Sequence, residues 1–361
     1  MRFKNTLKGE NKMKKLLIFF VLLLSFSLCL TACGGTGNGT TDDGDKPDSD
    51  PIVTDEDKYN DALAFIAEGK YEEARAIFAA LGSYKDSEER LSRFYFVPTT
   101  ASFNIDGEIL NAEFFYNQHN LPLRTILSDL EGNEHSVDYT YDENFDIVKE
   151  FFVDHEYGES TYSYTYDENR NLTKEVYAHS SGVTYSTESW YDANGRVIKM
   201  LLCYPGMDDY ITEFTYDEKG NIIREVSTSA GDVAVVECTY DDKGNILETV
   251  TTYSDGSTSP STYTYDESGN LIRVSYVLED GELHTDSTYD EKGNLIKEVC
   301  MLGDVMEYSF EFTYDENGNA IKTVHIDGEG VTETTEMAYK LVYIEKEVTS
   351  IMEKAFKFDY L

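Results

Sequence analysis

Basic side chains are in short supply: 30 Lys and Arg stand against 69 Asp and Glu, a formal charge of −39 over 361 residues. So acidic an envelope repels phosphate backbones and anionic lipid surfaces, which excludes nucleic-acid binding through the backbone. Cysteine is sparse as well, and the five present cannot build a disulfide framework. Cys29 and Cys33 fall in the leading segment, and Cys203, Cys238 and Cys300 are an odd, scattered remainder that reads as small buried hydrophobes. There is no Gly-x-Ser-x-Gly, no glycine loop closed by Lys-Ser or Lys-Thr, and no metal-ligand spacing among His119, His135, His155, His179, His284 and His325. The expectation is no enzyme, no cofactor and no metal site. A single Trp, Trp190, stands beside 28 Tyr, an imbalance that points to a patterned β structure.

Long apolar runs are absent but for one, residues 16–30, which is too short for a spanning helix and right for a secretory signal. Six basic residues precede it, and it ends in Leu30-Thr31-Ala32-Cys33 before Gly34 and Gly35. This string resembles the lipobox of bacterial lipoproteins. The resemblance implies lipidation of Cys33, removal of residues 1–32 and anchorage of an extracytoplasmic protein to the bacterial cell membrane or envelope. Loss of that leader leaves 24 basic against 68 acidic side chains, −44, so the acidity belongs to the exported part. Residues 33–56 are rich in Gly, Asp and Thr, cannot bury apolar area, and read as a tether with a reach of about 25 Å.

Residues 57–96 change to helical spacing, with Ala62, Phe65 and Ile66, then Tyr71, Ala74, Ile77, Phe78 and Leu81, broken at Gly69. Glu68-Gly69-Lys70-Tyr71-Glu72-Glu73-Ala74 with Phe78 and Leu81 resembles the turn and second helix of a tetratricopeptide repeat. A third helix is expected near Asp86 or Ser87, with Leu91 and Phe94 on its inner face. One such unit cannot bury its own face, so it is expected to cap something else.

The dominant feature is a repeat over residues 97–340. Tyr-Asp pairs stand at Tyr141, Tyr166, Tyr191, Tyr216, Tyr240, Tyr265, Tyr289 and Tyr314, spaced by 24 or 25 residues, and one step outward falls on Tyr116-Asn117 and Tyr339-Lys340. That makes about ten units, the outer two degenerate as array caps usually are. Copies such as YDEKGNIIR and YDESGNLIR resemble the YD repeats of the RHS family, a bacterial secreted and surface family. The resemblance implies β-hairpins coiled into a hollow shell that encloses or chaperones another polypeptide. Here Asn stands after the Gly where that family usually has Arg, which only Arg196 keeps.

Each unit reads as two antiparallel strands. Asp-Glu-x-Gly forms one turn, with Gly at positive φ, and a second Gly, from Gly132 to Gly328, marks the other. If each Tyr pairs with the Asn after the Gly, the acid three residues before Tyr falls opposite the base of the second strand of the same unit. The expected pairs are Glu113/Arg124, Asp138/Lys149, Glu188/Lys199, Glu213/Arg224, Asp286/Lys297 and Glu311/Lys322. The 24-residue spacings should be absorbed in the second turns. The predicted fold is mainly β, a long coiled or curled sheet of hairpins preceded by a small helical segment. Residues 341–361 would cap it, with Lys346, Lys354 and Lys357 blunting a free edge.

Candidate sites are few. The turn aspartates, Asp142 through Asp315, form a column whose members sit about 9.5 Å apart, too far for one cation to bridge, and read as turn caps. The same spacing separates Cys300 from His325 and removes a Cys/His dyad. The functional expectation is a non-enzymatic surface lipoprotein whose repeat scaffold serves binding, adhesion or spacing, with an unidentified protein or glycan partner. The alternatives are a small shell enclosing a polypeptide and a glycan-binding module.

Overall fold

The computed structural model describes residues 53–105, 107–278 and 281–344, the side chain of residue 278 excepted. Cys33, the leader, nearly all of the tether and the terminal lysines lie outside the described residues.

Among the described residues three helices come first: α1 (Asp55–Ala67), α2 (Tyr71–Leu81) and α3 (Ser87–Leu91). Thr54 caps α1 by accepting from the Asp57 amide, while the Asp57 carboxylate accepts from the Thr54 amide. Gly69, at φ 74°, turns the chain into α2. Phe94 is not helical; it opens β1, because its partner is a strand at the far end of the chain.

Twenty strands follow: β1 (Phe94–Ile105), β2 (Glu108–Tyr116), β3 (Pro122–Asp129), β4 (Glu134–Tyr141), β5 (Ile147–Asp154), β6 (Gly158–Tyr166), β7 (Leu172–His179), β8 (Thr184–Tyr191), β9 (Val197–Cys203), β10 (Tyr210–Tyr216), β11 (Ile222–Ser229), β12 (Asp232–Tyr240), β13 (Ile246–Tyr253), β14 (Thr258–Tyr265), β15 (Leu271–Leu278), β16 (Gly281–Tyr289), β17 (Leu295–Leu302), β18 (Val305–Tyr314), β19 (Ala320–Asp327) and β20 (Thr332–Tyr343). Each pairs antiparallel with the next, and β20 pairs with β1 from Asn104↔Thr334 to Phe94↔Tyr343. The sheet is therefore a closed up-and-down barrel rather than the long coiled or curled sheet expected. Among the described strands no free edge remains for a lysine-rich cap to blunt, and residues 341–343 belong to β20 itself. At about 4.8 Å per strand and about 40° of tilt the perimeter is about 125 Å, and a round section of that perimeter is about 40 Å across.

The repeat count also changes. Nine units turn after their Tyr; the tenth, Tyr339, lies inside β20, which runs on to close the ring. The Tyr turns are five-residue loops in which, for example, the Asp217 amide donates to Asn221 O and the Gly220 amide to Asp217 O. The position of Gly220 has positive φ in every unit, and in the first three it is filled by Asn120, Phe145 and Arg170. The 24-residue spacings are absorbed where expected: Ser229↔Asp232 closes over Ala230-Gly231, both at positive φ, and Leu278↔Gly281 is as tight. In the last full unit the turn glycine is Gly330, not Gly328.

Register departs from the expectation in one consistent way. Tyr216 pairs with Ile222, not Asn221, and the next pair is Thr215↔Arg224, so Ile223 is an extra, bulged residue. The bulge recurs at the same place in all nine hairpins. It shifts the second strand so that the bases, except Lys149 opposite Ser163, meet the acid of the next unit: Arg124 with Asp138, Lys174 with Glu188, Arg273 with Asp286, Lys297 with Glu311 and Lys322 with Glu336. Lys199 likewise lies opposite Glu213 and Arg224 opposite Glu237. The charge pairs thus join units instead of closing hairpins. The bulge also accounts for paired apolar residues such as Ile222-Ile223: the first faces with Tyr, and the second lies outward, 38% exposed.

The buried apolar clusters gather where the ring closes. Phe94, Leu341 and Tyr343 pack with Tyr59, Ala62, Ala74 and Phe78 of the helices, and Tyr95, Val97, Val342 and Ile344 pack with Leu121. Ala101, Phe103, Leu110, Ala112 and Leu127 form a third cluster across β1–β3. Pro98, which has no amide to give the ladder, sits beside the register shift in β1, and the Tyr116 hydroxyl donates to its carbonyl at 2.6 Å.

Candidate functional site

The two faces of the wall are chemically distinct. The face carrying the repeat Tyr holds most of the buried barrel residues, including Phe103, Leu127, Tyr139, Phe214 and Phe312, while the opposite face carries the exposed ion pairs. Side chains converge on the concave side of a closed sheet, so the Tyr face is the lumen. From β5 to β19 most lumenal side chains are nonetheless only half-buried. Two facing sheets packed about 10 Å apart would exclude water from them; the lumen is therefore open.

The repeat Tyr builds the wall. Its hydroxyl donates to the carbonyl of the residue after the turn of the preceding unit: Tyr141 to Pro122, Tyr166 to Ile147, Tyr191 to Leu172, Tyr216 to Val197, Tyr240 to Ile222, Tyr289 to Leu271, Tyr314 to Leu295 and Tyr339 to Ala320, all at 2.6–2.9 Å. Each such bond contributes about 1 kcal/mol and ties unit to unit at a fixed offset.

The turn aspartates are consumed locally. Asp217 Oδ1 accepts from the Lys219 and Asn221 amides and Oδ2 from Asn221 Nδ2, and the pattern repeats at Asp241, Asp290 and Asp315. Arg196 makes the same bond to Asp192 through Nε at 2.7 Å, so Asn substitutes for Arg as the partner of the turn carboxylate. An open recess of about 510 Å³ between two such turns is lined by Asp266, Asn270, Asp290 and Lys292, and its aspartates are already spent.

Beyond the repeat Tyr, the lumenal face carries two features. The first is a row of rings, Phe152, Tyr162, Tyr177, Tyr185 and Tyr204, with successive centroids 4.7–5.5 Å apart. The second is a set of carboxylates at the ninth position after the repeat Tyr: Glu150, Glu175, Glu225 and Glu298. Burial, and then the charge of Glu175, push Glu150 up to about 7 against a hydrogen bond from Tyr164. Burial likewise raises Glu175 and Glu298. His325 is held at 3.1 Å by Glu333 and stacks on Phe310, and His135 lies 3.2 Å from Asp154.

Cys300 is buried, whereas Cys203 and Cys238 are only half-buried, Cys203 because it faces outward. Cys300 pairs with Tyr308 and His325 with Phe310, so an aromatic strand separates them. No group of three metal-ligating side chains converges among the described residues. The carboxylate row has a sequence signal, the ninth position after the repeat Tyr, which lies on the Tyr face with or without the bulge, but Glu fills that position in only four of the nine turning units.

The teneurin YD-shell family model matches residues 173–280. The structure of TcdB2-TccC3 is similar over 64% of this chain at 14% identity, with a TM-score of 0.40, and this chain spans 15% of its length. The Photorhabdus luminescens Tc holotoxin pore is similar over 64% of this chain and 14% of its own, at 14% identity and TM-score 0.32. A porin-like protein from Bacteroides uniformis is similar over 67% of this chain and 96% of its own, at 12% identity and TM-score 0.31. No curated protein matches. The family match lies in the middle of the wall and the same Tyr-Asp period runs around it, so the repeats of this chain are similar to those of the YD-repeat, or RHS, family.

Proposed function

We propose that the protein is an extracytoplasmic lipoprotein, anchored through Cys33, whose YD barrel encloses a segment of another polypeptide. The observation that carries this reading is a closed wall around a lumenal face that its own side chains leave half-exposed. A bore of this size admits a helix about 10–12 Å wide or several extended chains. Enclosure gains over an outward scaffold because most bases of the outer face are already paired with an acid of the adjoining strand, while the inner face presents rings and carboxylates that no other part of the described chain covers. The outer pairs at mid-wall, such as Lys174 with Glu188 and Arg273 with Asp286, also speak against a lipid-facing band. A photo-crosslinker at lumenal Met200 and, separately, at outer Thr215 tests the reading in cells. Polypeptide adducts from Met200 and none from Thr215 are expected; adducts from Thr215 alone would contradict enclosure. Anchoring is tested by fatty-acid labelling, which Cys33→Ala should abolish.

A further inference from the structure

Charge is sorted across the wall. Every Lys and Arg of the described strands β2–β19 faces outward: Arg124, Lys149, Lys174, Lys199, Arg224, Arg273, Lys297 and Lys322, most of them against an acid of the adjoining strand. Among the acids at inner positions of the same strands are Glu150, Asp154, Glu175, Glu225 and Glu298, and neither Lys nor Arg stands there. Of these, Asp154 has His135 beside it, and Glu225 accepts from Ser227; none has a fixed cation.

The inner charge is concentrated beside the ring row. Glu150 lies two residues from Phe152 on β5, Tyr164 two from Tyr162 on β6, and Glu175 two from Tyr177 on β7, all on one face. Ring faces in the row are turned to one another, at 18° and 23° between the last two pairs, and the Tyr162 and Tyr185 hydroxyls meet at 3.3 Å. Sugar rings would therefore find few free aromatic faces. What the patch offers is acceptor oxygens, carboxylate and phenolic, over apolar walls, and these suit a guanidinium or ammonium on an extended chain.

We propose that the β5–β9 part of the lumen is a docking surface for a cationic polypeptide segment, whose Lys or Arg side chains supply the counter-charge that the wall keeps outside. This rests on the enclosure reading and adds the chemistry of what is enclosed.

The test uses a short Arg/Ser peptide bearing one benzoylphenylalanine, and its counterpart with Gln for Arg. Each is titrated into the full-length protein at mildly alkaline pH, where Glu150 is ionised. E150Q/E175Q should weaken the Arg peptide about tenfold or more, whereas E218Q/E291Q, which removes the same charge from exposed turns, should change it less than about twofold. Crosslinks should fall on β5–β9. Equal losses in the two variants, or no loss in E150Q/E175Q with its thermal transition intact, would overturn the proposal. If the Gln peptide crosslinks to the lumen as well as the Arg peptide does, enclosure stands and the charge preference falls. If neither reaches the lumen, both readings fall.

Discussion

The closing seam and the repeat wall are held together by different physics. At the seam, β1, β20, the first hairpin and the helices bury Phe78, Phe103, Leu121, Val342 and Ile344 to 3% exposure or less. Around the wall, from β5 to β19, fully buried side chains are isolated, and order comes from ladders, turn carboxylates and one tyrosine hydroxyl per unit. A repeat can propagate on near-neighbour terms alone, but closing it into a ring brings residues 94–104 against 334–343, and that long loop-closure cost is offset by a true apolar core. The three turn positions that lack glycine lie on the seam side, and each is held by a contact: Asn120 Nδ2 donates to Tyr343 O, Phe145 packs with the cluster around Leu121, and Arg170 pairs with the buried Asp146.

The contrast sets an order of effects. Phe103→Ala at the seam is expected to cost about 3–5 kcal/mol and to release closure, read as a fall in the denaturant midpoint for the whole barrel. Next comes pH. Because burial raises Glu150 to about 7 from the usual 4.5, the folded state holds a proton that the unfolded chain has lost between those values. Its stabilisation is full below pH 4.5 and lost as pH rises through 7; Glu150→Gln should flatten that slope in thermal melts. In the wall, Gly220→Ala should cost about 1–2 kcal/mol, because φ is +96° there, while Phe145→Gly should also destabilise, since its ring packs at the seam. Tyr240→Phe should cost about 1 kcal/mol through its lost bond to Ile222 O. Smallest is Lys297→Gln: with both partners about half exposed, it should change stability by a few tenths of a kcal/mol.

What could be read from the sequence divides along the same line. The wall was legible because its period is written in residues: Tyr-Asp marks one turn, Gly both, and the 24-residue units locate their own short turns. Closure was not, because β1 carries no Tyr-Asp and a Pro at position 98, and because ring formation depends on which two distant strands pair. The bulge escaped for a related reason. An extra Ile between Ile222 and Arg224 looks like ordinary strand sequence, yet it moves Arg224 from opposite Glu213 to opposite Thr215, so that the charge pairs join units rather than close hairpins. The candidate site was seen only in part: the tyrosines were read as core, and the lumenal carboxylates, which recur in four units only, were not singled out.

Closure is the claim on which lumen, enclosure and cargo chemistry all depend, and one distance tests it. Spin labels at Asn104 and Thr334, in a background without Cys203, Cys238 and Cys300, sit on Cα partners across the β1–β20 seam. The account predicts a single short distance set by adjacent strands, whose Cα atoms lie about 5 Å apart, plus the label arms. An open or coiled sheet would separate the two strands by nineteen steps of about 4.8 Å, up to about 90 Å, and a distance of several tens of ångströms would contradict the closed barrel.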